Sequence, residues 1–208
     1  MSRTTILILI AVAVLFLIAA GIAMYRLDAD SKREVVNQYR SSMFTLSYPL
    51  ELELEESSNS TIAIGSTTPL GFDAAVVAHI IPLEFVGDAT FDSLVEAELV
   101  RLCTADSATE RVSCPTIESS SSHETAAGES ATEYYLTLAR TSIATGETVT
   151  ERFGPIYVFP VSAAKEEGEG IDISALVLHT PLPAFLERRA DGVLLSYITE
   201  KLTRGPRR

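Results

Sequence analysis

From Phe44 onward the chain alternates apolar and polar positions. Phe44, Leu46 and Tyr48 are separated by Thr45 and Ser47, and Pro49 ends the run. Leu50, Leu52 and Leu54 then alternate with Glu51, Glu53 and Glu55. A period of two sends successive side chains to opposite faces of an extended strand, so both runs predict strands with one buried and one wet face. On this reading the three glutamates are the solvated face, not a cation site. Ile62 and Ile64 predict another short strand. Residues 72–83 are nearly continuously apolar through Val76, Val77, Ile80 and Ile81, as expected of a strand covered on both sides.

The period then becomes helical. Leu94, Val95, Leu99 and Leu102 recur at three- to four-residue spacing, and Asp88 or Thr90 can cap the helix they predict. Strands are expected over 112–117, 131–142, 147–153 and 171–179. Ser119 to Ser122 is read as a flexible loop, Thr145-Gly146 as a hairpin turn, and Gly154-Pro155 as a break with Ile156, Val158 and Pro160 continuing beyond it. Residues 163–170 form an exposed acidic turn. Pro183 suits the first turn of a last helix, whose stripe is Leu186, Ala190, Val193, Leu194, Tyr197 and Ile198. These elements predict an α+β body with an antiparallel sheet flanked by helices. A body of this size closes its own core without a metal or cofactor.

Ahead of this body the pattern is different. Residues 6–25 carry no charge, and twelve of the twenty are Ile, Leu, Val or Phe. A helix of that length spans about 30 Å, the thickness of a bilayer's hydrocarbon core. The run has no polar stripe, so it predicts one N-terminal transmembrane helix behind a short tail, residues 1–5. It is longer than a cleaved signal needs, which favours an uncleaved anchor, although Gly21-Ile22-Ala23 offers a cleavage site. Residues 26–42 are charged and mixed, with Val35, Val36 and Tyr39 on a weak helical face, and read as a stalk. The body then runs over 43–203, and 204–208 is a frayed basic tail. The orientation signals conflict. Arg26, Lys32, Arg33 and Arg40 outnumber Arg3, which by the positive-inside rule places the body in the cytoplasm. The minimal N-terminal tail, with all folded mass behind the run, points to export instead. The exported orientation, a single-pass membrane protein with an extracytoplasmic domain, is the one adopted.

Three stretches resemble the PsbP-like superfamily: Phe44-Thr45-Leu46-Ser47-Tyr48-Pro49, Ser174-Ala175-Leu176-Val177-Leu178-His179-Thr180-Pro181, and Phe185 through Ser196-Tyr197-Ile198. The resemblance implies an antiparallel sheet with helices on both sides, and a role in binding and assembly more than in catalysis. It carries over no functional residue, because the matched positions are packing positions. The chain departs from the pattern in having Leu50 after Tyr-Pro where a Trp is common, and in having no Trp at all.

Composition narrows the chemistry. A net charge of −12 argues against a nucleic-acid partner. No phosphate-cradling glycine loop, nucleophile elbow or His-Glu-x-x-His is present. His79, His123 and His179 are scattered: the first and last read as hydrogen-bonded structural residues in strands, the second as a solvated loop residue. No cofactor, metal or catalytic residue is expected. Asn59-Ser60-Thr61 is a glycosylation sequon, relevant only in a secretory pathway. Cys103 and Cys114, eleven positions apart, are the sharpest chemical feature. They can form a disulfide if the body is exported, stay as two buried thiols, or less readily serve a metal or catalysis. The expected function is a membrane-anchored binding or assembly module with an unknown protein partner. The alternatives are a small-ligand carrier with an apolar cavity between sheet and helices, or a hydrolase whose groups converge only in the fold.

Overall fold

The structure, a computed structural model, describes residues 36–58, 60–85, 88–164 and 171–205. The apolar run 6–25, most of the stalk, Asn59, the acidic 165–170 segment and the last three residues of the basic tail lie outside the described residues. Among the described residues no helix is long and apolar enough to cross a membrane.

Strands dominate. They are β1 (Val36–Arg40), β2 (Phe44–Pro49), β3 (Glu53–Ser58), β4 (Thr61–Thr68), β5 (Gly71–Pro82), β6 (Ala105–Asp106), β7 (Glu110–Glu124), β8 (Ser130–Ser142), β9 (Thr148–Ala164), β10 (Ile171–His179) and β11 (Thr203–Arg204). Among the described residues three helices accompany them: α1 (Phe91–Leu102), α2 (Leu182–Leu186) and α3 (Gly192–Glu200). The large sheet runs β3-β4-β5-β10-β9-β8-β7-β6, and a small sheet runs β1-β2-β11. Every pairing is antiparallel. The order follows from two meanders. The first ends at β5. The chain then crosses one face as α1, starts again at the far edge as β6, and winds back until β10 lies against β5.

β10 shows why its sequence is continuously apolar. Ala175 and Val177 face one core, Leu176 and Leu178 face the other, and all four are fully buried. On one side the large sheet meets β2, through Phe44, Leu46 and Tyr48, and α3, through Leu195 and Ile198. On the other side it meets α1, through Val95 and Leu99, and Leu182 at the start of α2. Thr90 caps α1, accepting from the Ser93 amide at 3.2 Å, while Ser93 Oγ accepts from the Thr90 amide at 3.0 Å.

The expected fold class, an α+β sheet flanked by helices, is therefore corrected: the body is mostly β, and one face is closed largely by a second sheet. The differences have local causes. Val36–Arg40, read as part of a helical stalk, is a strand because β2 offers a free edge and Tyr39 can lie against Phe44, ring centroids 6.0 Å apart. Ser119 to Ser122 lies inside β7, its backbone satisfied by pairing with β8 from Tyr135 to Thr132. Serine side chains discourage a buried strand, not an exposed one. Gly154-Pro155 does not end β9. The strand passes through with a register shift opposite Tyr134 and Leu136, a bulge that only glycine admits, since Gly154 has φ 140° and a Cβ there would lie 2.9 Å from the Tyr134 carbonyl oxygen. The single last helix is two helices, turned at Arg188 with φ 60°. Arg204, read as the start of a frayed tail, pairs with β2 alongside Thr203 as β11, and its guanidinium meets Glu129 at 2.8 Å.

β3 carries the acidic alternation to an open edge of the large sheet. Glu53 and Glu55 are exposed there, and negative charge on an edge strand opposes edge-to-edge association.

Candidate functional site

Two histidines that the sequence keeps a hundred positions apart meet on one face. The register pairs His79 with Val177 and Val77 with His179. Residues two apart on a strand share a face, so all four project to the α1 side of the sheet. The imidazoles stack with centroids 5.1 Å apart and an interplanar angle of 15°. Phe153 meets His179 edge-on at 6.3 Å, and Phe185 meets Phe153 at 4.9 Å, so the pair belongs to a chain of rings reaching α2.

These histidines form part of the wall of a groove of about 550 Å³. Its apolar lining is Val77 from β5, Leu102 at the end of α1, and Leu182 and Leu186 from α2. Thr61 and Thr104 add hydroxyls, and Glu187 stands at the rim. The rim is pinned from outside: Arg189 donates to Glu187 at 2.8 Å and to Asp73 at 2.7 Å.

The hydrogen bonds assign one tautomer. His179 Nδ1 lies 2.7 Å from the Thr180 carbonyl oxygen, which can only accept, so the neutral ring carries its proton on Nδ1. Nε2 is then a bare acceptor. It is buried, and among the described residues no protein group hydrogen-bonds it. A buried acceptor left unpaired costs about 1–3 kcal/mol. His79 Nδ1 lies 3.1 Å from Thr61 Oγ1. Among the described residues no carboxylate hydrogen-bonds either ring.

Burial pushes His179 down to about 4, the Thr180 bond opposes this, and neighbouring His79 adds to it. Burial also lowers His79. The rings are therefore neutral near pH 7. In the unfolded chain histidine titrates near about 6.5, so below that value the unfolded state takes up a proton that the folded state refuses until about 4. Stability from this source is complete above about pH 6.5 and falls as the pH drops toward the folded value, by up to about 1.4 kcal/mol per pH unit from His179. Urea unfolding from about pH 7.5 to 4.5 is expected to show a steeper loss for the native chain than for His179→Phe. Equal slopes would show that His179 is not held neutral by folding.

Of the residues singled out from sequence, Cys103 and Cys114 pair as a disulfide with Cα atoms 5.6 Å apart, inside the usual span for such a bridge. Both are fully buried in the α1-side core. The bridge ties the end of α1 to β7, and Leu102, Thr104 and Ala105 on either side of Cys103 form one lip of the groove. His123 joins neither histidine. It sits in β7, its Nε2 2.9 Å from Glu200 Oε1 and its ring 5.0 Å from Tyr157, linking the β7–β8 hairpin to α3. Among the described residues no three His, Cys, Asp or Glu side chains cluster as metal ligands would. What sequence reasoning missed is the groove. Its one available signal was two histidines set in apolar strands, and that signal is silent without the β5–β10 pairing.

No protein-family model matches the chain, and no curated protein matches it either.

Proposed function

We propose that this chain acts by binding, as a domain tethered to a membrane by residues 6–25 and presented outside the cytoplasm, with the groove beside His79 and His179 as its ligand site. The groove carries this reading: a concave, mainly apolar wall with a few fixed polar atoms is the usual form of a small-ligand site. It favours ligand carriage over protein assembly as the form of binding. Catalysis is disfavoured by the same geometry. Thr61 and His79 form a hydroxyl–imidazole pair, among the described residues no carboxylate hydrogen-bonds the imidazole, and burial lowers the base strength that proton abstraction needs.

An aliphatic diazirine probe, photolysed in membranes holding the full chain, is expected to label residues 102–105 and 182–187. Ala105→Trp, an exposed lip position, should remove that labelling by filling the groove. Labelling spread evenly along the chain, or indifferent to Ala105→Trp, would count against the groove as a ligand site. For the tether, an impermeant thiol reagent on intact cells should reach Cys103 and Cys114 only after reduction and denaturation at the cell surface. Reaction only after the membrane is opened, without reductant, would reverse the orientation.

A further inference from the structure

We infer that the free edge of β7 over Ser119–Glu124 takes an extended, cationic peptide segment of a partner protein as an added strand. β7 is the last long strand of the large sheet, and β6 covers it only at Arg111 and Val112. In an antiparallel pair alternate residues turn their amide and carbonyl groups away from the neighbour. From Ser113 to Glu124 no described strand meets the groups that β7 turns away from β8. The first half of this edge is blunted by Pro115 and by register shifts over 113–116 and 117–119. The second half is open. Ser119 to Glu124 pairs in unbroken register with Tyr135 to Ser130, and four successive exposed residues, Ser119 to Ser122, leave both faces bare. An added strand gains its affinity from the main-chain ladder, and its side chains decide which partner is taken. Serine is short, so long side chains find room on either face. Charge selects their sign. Ser119–Glu124 carries no Lys or Arg, Glu118 and Glu124 stand at its two ends, and Glu133 lies opposite Ser121. Arg152, close by, is engaged by Glu118 at 3.3 Å, by Ser119 at 3.3 Å and by the Tyr135 ring. A second copy fits poorly. Antiparallel pairing of β7 with itself about Ser121 would set Glu118 against Glu124, and like charges directly opposite are destabilising. The opposite edge of the sheet, β3, offers only Glu53–Glu56 before its own register shift.

The test uses the full chain in phosphatidylcholine nanodiscs, with empty discs as the control, and reads amide hydrogen exchange by mass spectrometry. The probe is the acetylated, amidated peptide Lys-Thr-Lys-Val-Lys-Thr-Lys. One control is the same sequence N-methylated at every amide, which keeps the charge but cannot join a ladder. The other carries Glu in place of each Lys. The expected result is saturable binding of the probe with slowed exchange over 119–124, and binding at least about tenfold weaker for both controls. Ser121→Lys, at an exposed position, should weaken the probe about fivefold and leave exchange elsewhere native. Equal binding of the N-methylated peptide would show attraction by charge alone and overturns strand addition. Slowed exchange over β3 instead of β7 overturns the choice of edge. Slowed exchange over 119–124 without any peptide overturns the choice of occupant: it identifies a second copy if it grows with protein concentration, and another segment of this chain if it does not. Failure of the probe to bind the native chain overturns the proposal outright. None of these outcomes bears on the groove, whose own test is the diazirine labelling.

Discussion

Phe159→Ala is expected to lower the unfolding free energy by about 3–5 kcal/mol, the usual cost of deleting a buried ring. Phe159 is fully buried in β9, directly opposite Leu176 of β10, on the face covered by β2 and α3. No solvent reaches the site, and its neighbours come from both sheets, so the cavity left by alanine cannot close by the movement of one element. Since domains of this kind are stable by about 5–15 kcal/mol, such a loss is a large share of the total. The measurement is urea unfolding followed by near-ultraviolet circular dichroism, with Val149→Ala as the control. Val149 is 63% exposed at the far end of the β8–β9 hairpin, and its truncation should stay within about 0.5 kcal/mol. Similar losses for the two variants would be incompatible with the layered packing of β2 and α3 against β9 and β10.

Breaking the Cys103–Cys114 bridge should cost nearly as much. The two positions are eleven apart, and closing a loop of that size removes unfolded-state entropy worth slightly under about 3 kcal/mol. The bridge also holds the Leu102–Ala105 lip against β7, so reduction has a second, functional consequence: the groove should bind its ligand more weakly while α1 remains helical. The comparison is the native chain with and without reductant against the Cys103→Ala/Cys114→Ala double variant. The native chain should drop to the stability of the double variant on reduction, and the double variant should ignore reductant. An unfolding midpoint that reductant leaves unchanged, with both thiols shown to be free, would remove the bridge from the account.

Much of the body was legible from pattern alone. Phe44–Pro49, the apolar run of β5, the length of β8 and the run of β10 were all visible as periods of two or as unbroken apolar stretches, because burial of one face gives alternation and burial of both, as in β10, gives a continuous run. α1 was legible too, through the spacing of Val95 and Leu99. What misled was the part of the pattern that depends on neighbours. Val36–Arg40 has weak apolar content and becomes a strand only because β2 has an edge to fill. Ser119 to Ser122 has the composition of a loop but the partners of a strand. Gly154-Pro155 looks like a stop, yet the sheet absorbs it as a bulge.

The site divides in the same way. Cys103 and Cys114 could be singled out as a pair because their separation is short enough for local geometry to bring them together. His79 and His179 could not, because their stacking depends on the β5–β10 register, and that register is set only when the chain returns from the far edge of the sheet. The sequence by itself determined most of the extended segments, among them β2, β5, β8 and β10, the helical face of α1, and that an uncharged run stands ahead of an acidic body. The tertiary structure alone decided that a second sheet closes one face, and that two imidazoles stack in the wall of one groove. The physical reason is range: hydrophobic periodicity is encoded by neighbours along the chain, whereas strand order and side-chain convergence arise from contacts between residues far apart in it.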